Sequence, residues 1–116
     1  MSKKSITILK QINLNQIIKQ RQSNYKALQK SIKSLYKSIN KNTCPLKFPI
    51  LTKDRESIRK KLIQNGIYPS IHWKLEKEVS KKFKQSKDIS NKILTLPIDH
   101  IYTTQDMNKI IQTMKK

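Results

Sequence analysis

A chain of 116 residues with 26 Lys and Arg against 7 Asp and Glu carries a formal charge of +19, and only 35% of its residues are hydrophobic. That length suits one domain or a piece of one, since domains commonly take roughly 100 to 200 residues. The single glycine, Gly66, excludes Walker loops and dinucleotide fingerprints, the single cysteine, Cys44, excludes an internal disulfide, and His72 and His100 alone cannot complete a Cys/His zinc cluster, so no metal site is expected.

From Leu14 to Ile39 two seven-residue rows interleave, Ile18, Tyr25, Ile32, Ile39 and Leu14, Arg21, Leu28, Leu35. This spacing predicts one long amphipathic helix, uninterrupted by Gly or Pro until Pro45, with Lys19, Lys26, Lys30, Lys33 and Lys37 on its wet side. Arg21 stands in the apolar row, where a guanidinium must find a partner or snorkel past its neighbours, and the residues near it in sequence are cations and neutral amides. The polar break over Asn40 to Thr43 divides the chain into 1–42, read as the long amphipathic helix, and 43–116, read as an α/β part.

Cys44, Leu46, Phe48 and Ile50 alternate with Pro45, Lys47 and Pro49, the period of a half-buried strand that two prolines confine to an edge. Thr52 and Asp54 offer capping oxygens, Ile58, Leu62 and Ile63 give a helical stripe, and Gly66 supplies a left-handed stop, so a helix is expected over Asp54 to Asn65. Alternation returns over Ile67 to Leu75, with Ile67, Ile71, Trp73 and Leu75 on one side and Tyr68, Ser70, His72 and Lys74 on the other. That places Tyr68 and His72 together on a polar strand face, with Trp73 expected in the same core as Ile111. Glu76 to Lys87 reads as a short helix or loop, and Ile93 to Ile98 as a short buried strand closed by Pro97. Thr103 or Thr104 then caps a helix whose Met107, Ile110, Ile111 and Met114 form one buried face. The fold class is α+β: a long N-terminal helix, then a small antiparallel sheet with helices on one face.

No apolar run approaches the roughly 18 residues of a membrane span, and the start lacks the apolar region of a signal peptide, so a cytoplasmic protein away from membranes is expected. The charge comes almost wholly from Lys, with only Arg21, Arg55 and Arg59 beside it. Abundant Lys, Ile and Asn are what AT-rich codons write on tolerant surfaces, although a field this positive binds nucleic acid weakly and non-specifically in any case.

The order of these elements, and the residues in them, resembles the C-terminal part of the DegT/StrS-type family of pyridoxal-phosphate-dependent sugar aminotransferases. Ile8-Leu9 to Ile17 with Arg21, Asn24, Tyr25 and Leu28 is similar to the helix leading out of the cofactor domain, including an Arg-x-x-x-Tyr spacing. Pro49-Ile50, Arg55 and Leu62 to Ile67 resemble the strand and helix of the small domain, and Tyr68 to Trp73 the segment lining the sugar site. Ser90 to Asp99, Tyr102, Asp106-Met107 and Ile110 resemble the closing strand and last helix, with Ile101 where the family pattern carries an Arg. The resemblance implies the small domain of a fold-type I enzyme, with Tyr68 and His72 lining the substrate and Arg21, Asn24 and Tyr25 in an inter-domain contact. It also implies that pyridoxal phosphate belongs to the parent enzyme and is not bound by this chain alone, because the Schiff-base lysine sits upstream in the large domain.

Two functions compete: a fragment or split half of a nucleotide-sugar aminotransferase, inactive alone, and an independent lysine-rich nucleic-acid-binding protein. Scarce Arg, few aromatics for base stacking and the ordered series of motifs favour the first. Its partner would be the missing cofactor domain, or a second copy through the long helix, whose apolar seam should then lie partly uncovered.

Overall fold

Pro49 has no N–H to give, and the strand that carries it does not need one there. The computed structural model describes the backbone of residues 1–116 and every side chain except that of Ser80. Its elements are α1 (Lys3–Gln11), α2 (Leu14–Gln29), β1 (Lys47–Leu51), α3 (Arg55–Gln64), α4 (Lys77–Lys82), α5 (Lys84–Lys92), β2 (Ile93–Pro97) and α6 (Thr104–Lys115). β1 and β2 pair antiparallel, Lys47 opposite Pro97 and Pro49 opposite Thr95. Thr95 exchanges both backbone bonds with Ser70 on its other side (3.0 and 2.9 Å), so Pro49 occupies a non-hydrogen-bonded position toward β2. Its carbonyl points to the outer edge instead, where the Leu35 N–H donates to it at 2.8 Å. The sheet is thus two strands flanked by single contacts from residues 35 and 70, a means of finishing an edge without a full strand.

Alternation along the sheet sends Phe48, Ile50, Leu94 and Leu96 into one core with Ile98, Leu62 of α3, Ile67, Met107, Ile110 and Ile111 of α6, and Tyr25 and Leu28 of α2. Helix α3 begins at Asp54, whose carboxylate accepts from the Ser57 N–H at 3.2 Å. It ends in a Schellman turn, Gly66 N–H to the Ile63 carbonyl and Ile67 N–H to the Leu62 carbonyl, both at 2.9 Å, with Gly66 at φ 75°. A Cβ at Gly66 would meet only Lys109 Nζ, at 3.9 Å, so strain and not crowding governs substitution. Gly66→Ala is expected to cost roughly 1–2 kcal/mol of stability in a urea melt, the cost of a left-handed L-residue. Helix α6 opens on a capping box, the Asp106 carboxylate accepting from the Thr103 N–H at 2.7 Å.

Several expectations need correcting. The long helix stops at Gln29 and does not run to Ile39; a separate helix, α1, precedes it. Beyond Gln29 three serines within eight residues, Ser31, Ser34 and Ser38, disfavour helix. The chain instead turns so that Ser34 bonds Tyr25 and Leu35 bonds Pro49, bringing Ile32 and Ile39 onto the core. The connecting segment is consequently not held apart from the rest: α2 packs on α6 and β1, and Tyr25 and Leu28 are buried. Trp73 is 76% exposed and not in the core with Ile111. Only Ser70 of the predicted strand Ile67 to Leu75 pairs with β2, and without a continuing ladder the alternation lapses after Ile71. Likewise Cys44 and Leu46 face out ahead of β1, while Pro45 is buried. Among the described residues no helix is long and apolar enough to cross a membrane.

Candidate functional site

Seven acids among 26 basic residues make each carboxylate a scarce structural resource, and five of the seven have a definable job. Asp54 and Asp106 cap helices, Asp88 pairs with Lys92, Glu56 with Arg55, and Asp99 takes two cations. Arg21 Nη2 lies 2.9 Å from Asp99 Oδ1, and Lys47 Nζ 3.3 Å from Oδ2. The Arg21 side chain, 14% exposed, also donates to the Pro45 and Leu46 carbonyls, both at 3.2 Å. The apolar row therefore holds an arginine because its partner arrives from the loop after β2, a residue 78 positions away. Next to it, the fully buried Asn24 donates to the carbonyls of Ile98, Asp99 and Tyr102, helped by Gln20, which donates to Tyr102 and to Asn24 itself. Tyr25 completes this face, its hydroxyl 2.7 Å from Ser34 Oγ and its ring centroid 4.7 Å from that of Phe48. Arg21, Asn24 and Tyr25 are thus brought together, against Ser34, the Pro45–Leu46 backbone, Phe48 of β1 and the loop after β2, all within this chain.

The polar row of the Ile67 to Leu75 segment divides between two hollows. Tyr68, 70% exposed, stands at a cavity of about 150 Å³ whose floor is Ile67, Met107 and Ile110 and whose rim includes Lys47, Asp99 and Tyr102. His72 lines a second hollow with Trp73, Leu75, Ile89 and Ser90. The half-buried imidazole meets Trp73 edge-on, centroids 5.3 Å apart, and its Nδ1 is 3.1 Å from Thr95 Oγ1. Ser90 clamps the turn that carries both rings: its hydroxyl donates to the Trp73 carbonyl at 2.7 Å and accepts from the Leu75 N–H at 3.1 Å. The Ser90 carbonyl in turn accepts from Arg55 Nη1 at 2.6 Å, tying the turn to α3.

Thr95, Ser90 and Asp99 escaped the reading of the sequence as site-building residues. Thr95 and Ser90 carry no sequence signal, because a hydroxyl looks the same whether it faces water or a carbonyl. Asp99 does carry one, being one of only seven acids in a basic chain and just past a proline-terminated strand. Among the described residues no three His, Cys, Asp or Glu side chains come together as metal ligands would.

Helix α1 contributes nothing to this arrangement. α1 has no buried residue, and Ile6, Ile8, Leu9 and Ile12 of α1 and its C-cap are exposed together with Leu14. Wound at 100° per residue, Ile8, Ile12, Leu9 and Ile6 gather on one side and Lys3, Lys4, Thr7, Lys10 and Gln11 on the other, so the uncovered residues form a face.

No protein-family profile matches the chain, and no curated protein does. Solved structures do share its fold. It is similar to the crystal structure of the sugar aminotransferase CalS13 from Micromonospora echinospora, with a TM-score of 0.68 and 14% identity over 89% of this chain and 31% of that one. It is likewise similar to a DegT DnrJ EryC1 StrS aminotransferase from Brucella abortus, with a TM-score of 0.68 and 18% identity over 85% of this chain and 30% of that one. The chain spans less than a third of the length of either protein.

Proposed function

We propose that this chain is the small-domain part of a pyridoxal-phosphate-dependent aminotransferase acting on a sugar or nucleotide sugar, as a fragment or as one half of a split enzyme, and that it does not transaminate alone. The observation that carries the reading is the fold shared over 89% of this chain with 31% of a sugar aminotransferase. Pyridoxal phosphate supplies the aldehyde and electron sink that amino transfer needs. The residues of this chain do not fit that cofactor. Among the described residues no lysine is buried; of the half-buried ones, Lys47 and Lys92 are held in ion pairs by Asp99 and Asp88, and Lys61 lies on α3. The one glycine gives its N–H to the Ile63 carbonyl at a helix C-terminus, the wrong end for a phosphate.

In the complete enzyme the chain's part is to supply a wall and an anchor. Tyr68, His72 and the Trp73 ring offer polar edges and an aromatic surface toward the sugar, on backbone that Ser70, Thr95 and Ser90 hold rigid. The bare face of α1 docks on the domain that carries the Schiff-base lysine. A second copy of this chain would have to bring its own +19 against the lysines flanking that face, so an acidic partner is favoured over self-association.

Hydrogen exchange tests this reading. With a separately purified cofactor domain added, amides of residues 5–12 and 68–73 should slow, while those on the outer side of α3 stay as they were. If the same domain leaves residues 5–12 unchanged, or if they are already protected in the monomeric chain, α1 is not the docking face and the reading loses its support.

A further inference from the structure

A hydroxyl has one hydrogen, and that of Thr95 has two neighbours to choose between. Thr95 Oγ1 lies 3.0 Å from the Ser70 carbonyl oxygen and 3.1 Å from His72 Nδ1. Thr95 is buried, so water does not relieve a poor choice. The carbonyl can only accept, whereas Nδ1 donates or accepts according to the tautomer. If the hydroxyl hydrogen went to a bare Nδ1, the Thr95 and Ser70 oxygens would be left lone pair to lone pair at 3.0 Å. With the hydrogen on the carbonyl, Oγ1 presents a lone pair to Nδ1, and both contacts become hydrogen bonds only if Nδ1 carries the proton. The backbone leaves no easy escape, because Ser70 and Thr95 are locked opposite each other by their paired bonds at 3.0 and 2.9 Å.

We infer that Thr95 is a positioning residue that holds neutral His72 as its Nδ1–H tautomer, leaving Nε2 as a bare acceptor. Nε2 meets no partner among the described residues, on a ring that is half-buried and braced edge-on by Trp73. An acceptor there receives a hydrogen bond from a hydroxyl or amino group and offers none to a phosphate or carboxylate. Applied to a ligand, this rests on the proposed function: the group that His72 reads is a sugar hydroxyl or amine and not the acidic part of a nucleotide sugar. The tautomer itself does not depend on that reading.

The experiment is nitrogen NMR on the full chain with labelled histidine, at a pH high enough that the imidazole signals no longer move, with exposed His100 as internal reference. The expected spectrum has a protonated Nδ1 and an unprotonated Nε2 at His72, retained in Thr95→Ser. In Thr95→Val the population shifts toward the Nε2–H form, because valine cannot accept from Nδ1. A wild-type His72 in the Nε2–H form overturns the inference outright, and does so even if Thr95→Val fails to fold. So does a folded Thr95→Val with an unchanged tautomer. In the complete enzyme Thr95→Val should raise KM for the nucleotide sugar roughly 2- to 10-fold, the worth of one neutral hydrogen bond, with kcat little altered and KM restored by Thr95→Ser. An unchanged KM beside the expected NMR result removes the ligand role of Nε2. A chain that assembles no active enzyme at all counts against the proposed function and leaves the NMR result to decide the role of Thr95.

Discussion

Leu28→Ala is expected to lower the stability of the chain by roughly 2–5 kcal/mol, the range for truncating a buried leucine whose surroundings collapse only in part. Leu28 is fully buried where α2 packs across β1 and α6, in the same cluster as Phe48 and Met107. A urea melt should show the midpoint falling with little change in slope. Leu9→Ala on α1 is the control, because that residue is 50% exposed and its helix buries nothing. Its effect should stay within about 0.5 kcal/mol, as for surface positions in general. If Leu28→Ala proves as mild as Leu9→Ala, α2 is not part of this folding unit and the chain divides near residue 42 after all.

Asn24→Leu should be comparably severe for a different reason. The Asn24 amide is the partner of the Ile98 and Asp99 carbonyls and shares that of Tyr102 with Gln20. A leucine of similar volume keeps the packing but leaves the first two without that donor, at roughly 1–3 kcal/mol for each buried group left unpaired. The loop from Ile98 to Tyr102 also carries Asp99, so the Arg21 and Lys47 ion pairs should loosen with it. The readout is a melt combined with hydrogen exchange: faster exchange from residue 98 to 103 in a destabilised variant supports the role of Asn24 as the pin of that loop. A fully stable Asn24→Leu would show that α2 is held by its leucine and tyrosine alone.

The sequence spoke most clearly where a local rule and the tertiary contacts agree. Asp54 and Gly66 bracket α3 because a carboxylate satisfies free N–H groups at one end and a glycine takes the left-handed turn at the other, and neither effect depends on distant residues. A capping Thr103 or Thr104 and the Met107, Ile110, Ile111, Met114 stripe placed α6 for the same reason, and Thr103 is the cap. The readings that failed were those in which a periodic pattern continued past the residues that enforce it. Ile32 and Ile39 hold their seven-residue spacing with Ile18 and Tyr25, but they reach the core from an irregular turn, because Ser34 and Leu35 bond to the tyrosine and proline that face them. Trp73 alternates correctly with Ile71, yet only Ser70 has a strand to pair with, so nothing fixes the register beyond it.

The candidate site was legible to a similar degree. Tyr68 and His72 stand out in sequence because phenol and imidazole are rare here, whereas their division between two hollows depends on a backbone turn that a buried serine clamps. Arg21 was recognisable as an anomaly without its solution: ion pairs across 78 residues leave no trace in local spacing.

Reconstitution tests the central claim most directly. The purified chain is combined with a separately purified cofactor domain, supplied by an adjacent reading frame or by a full-length relative lacking its own small domain, and transamination of a nucleotide sugar is measured. Each part should be silent alone and active together. The double change Ile6→Asp with Leu9→Asp should abolish that activity while leaving the melt of the isolated chain unchanged. Specific pyridoxal phosphate binding or amino transfer by the isolated chain would contradict the account, as would a cofactor domain from the adjacent frame whose activity is indifferent to the chain's presence.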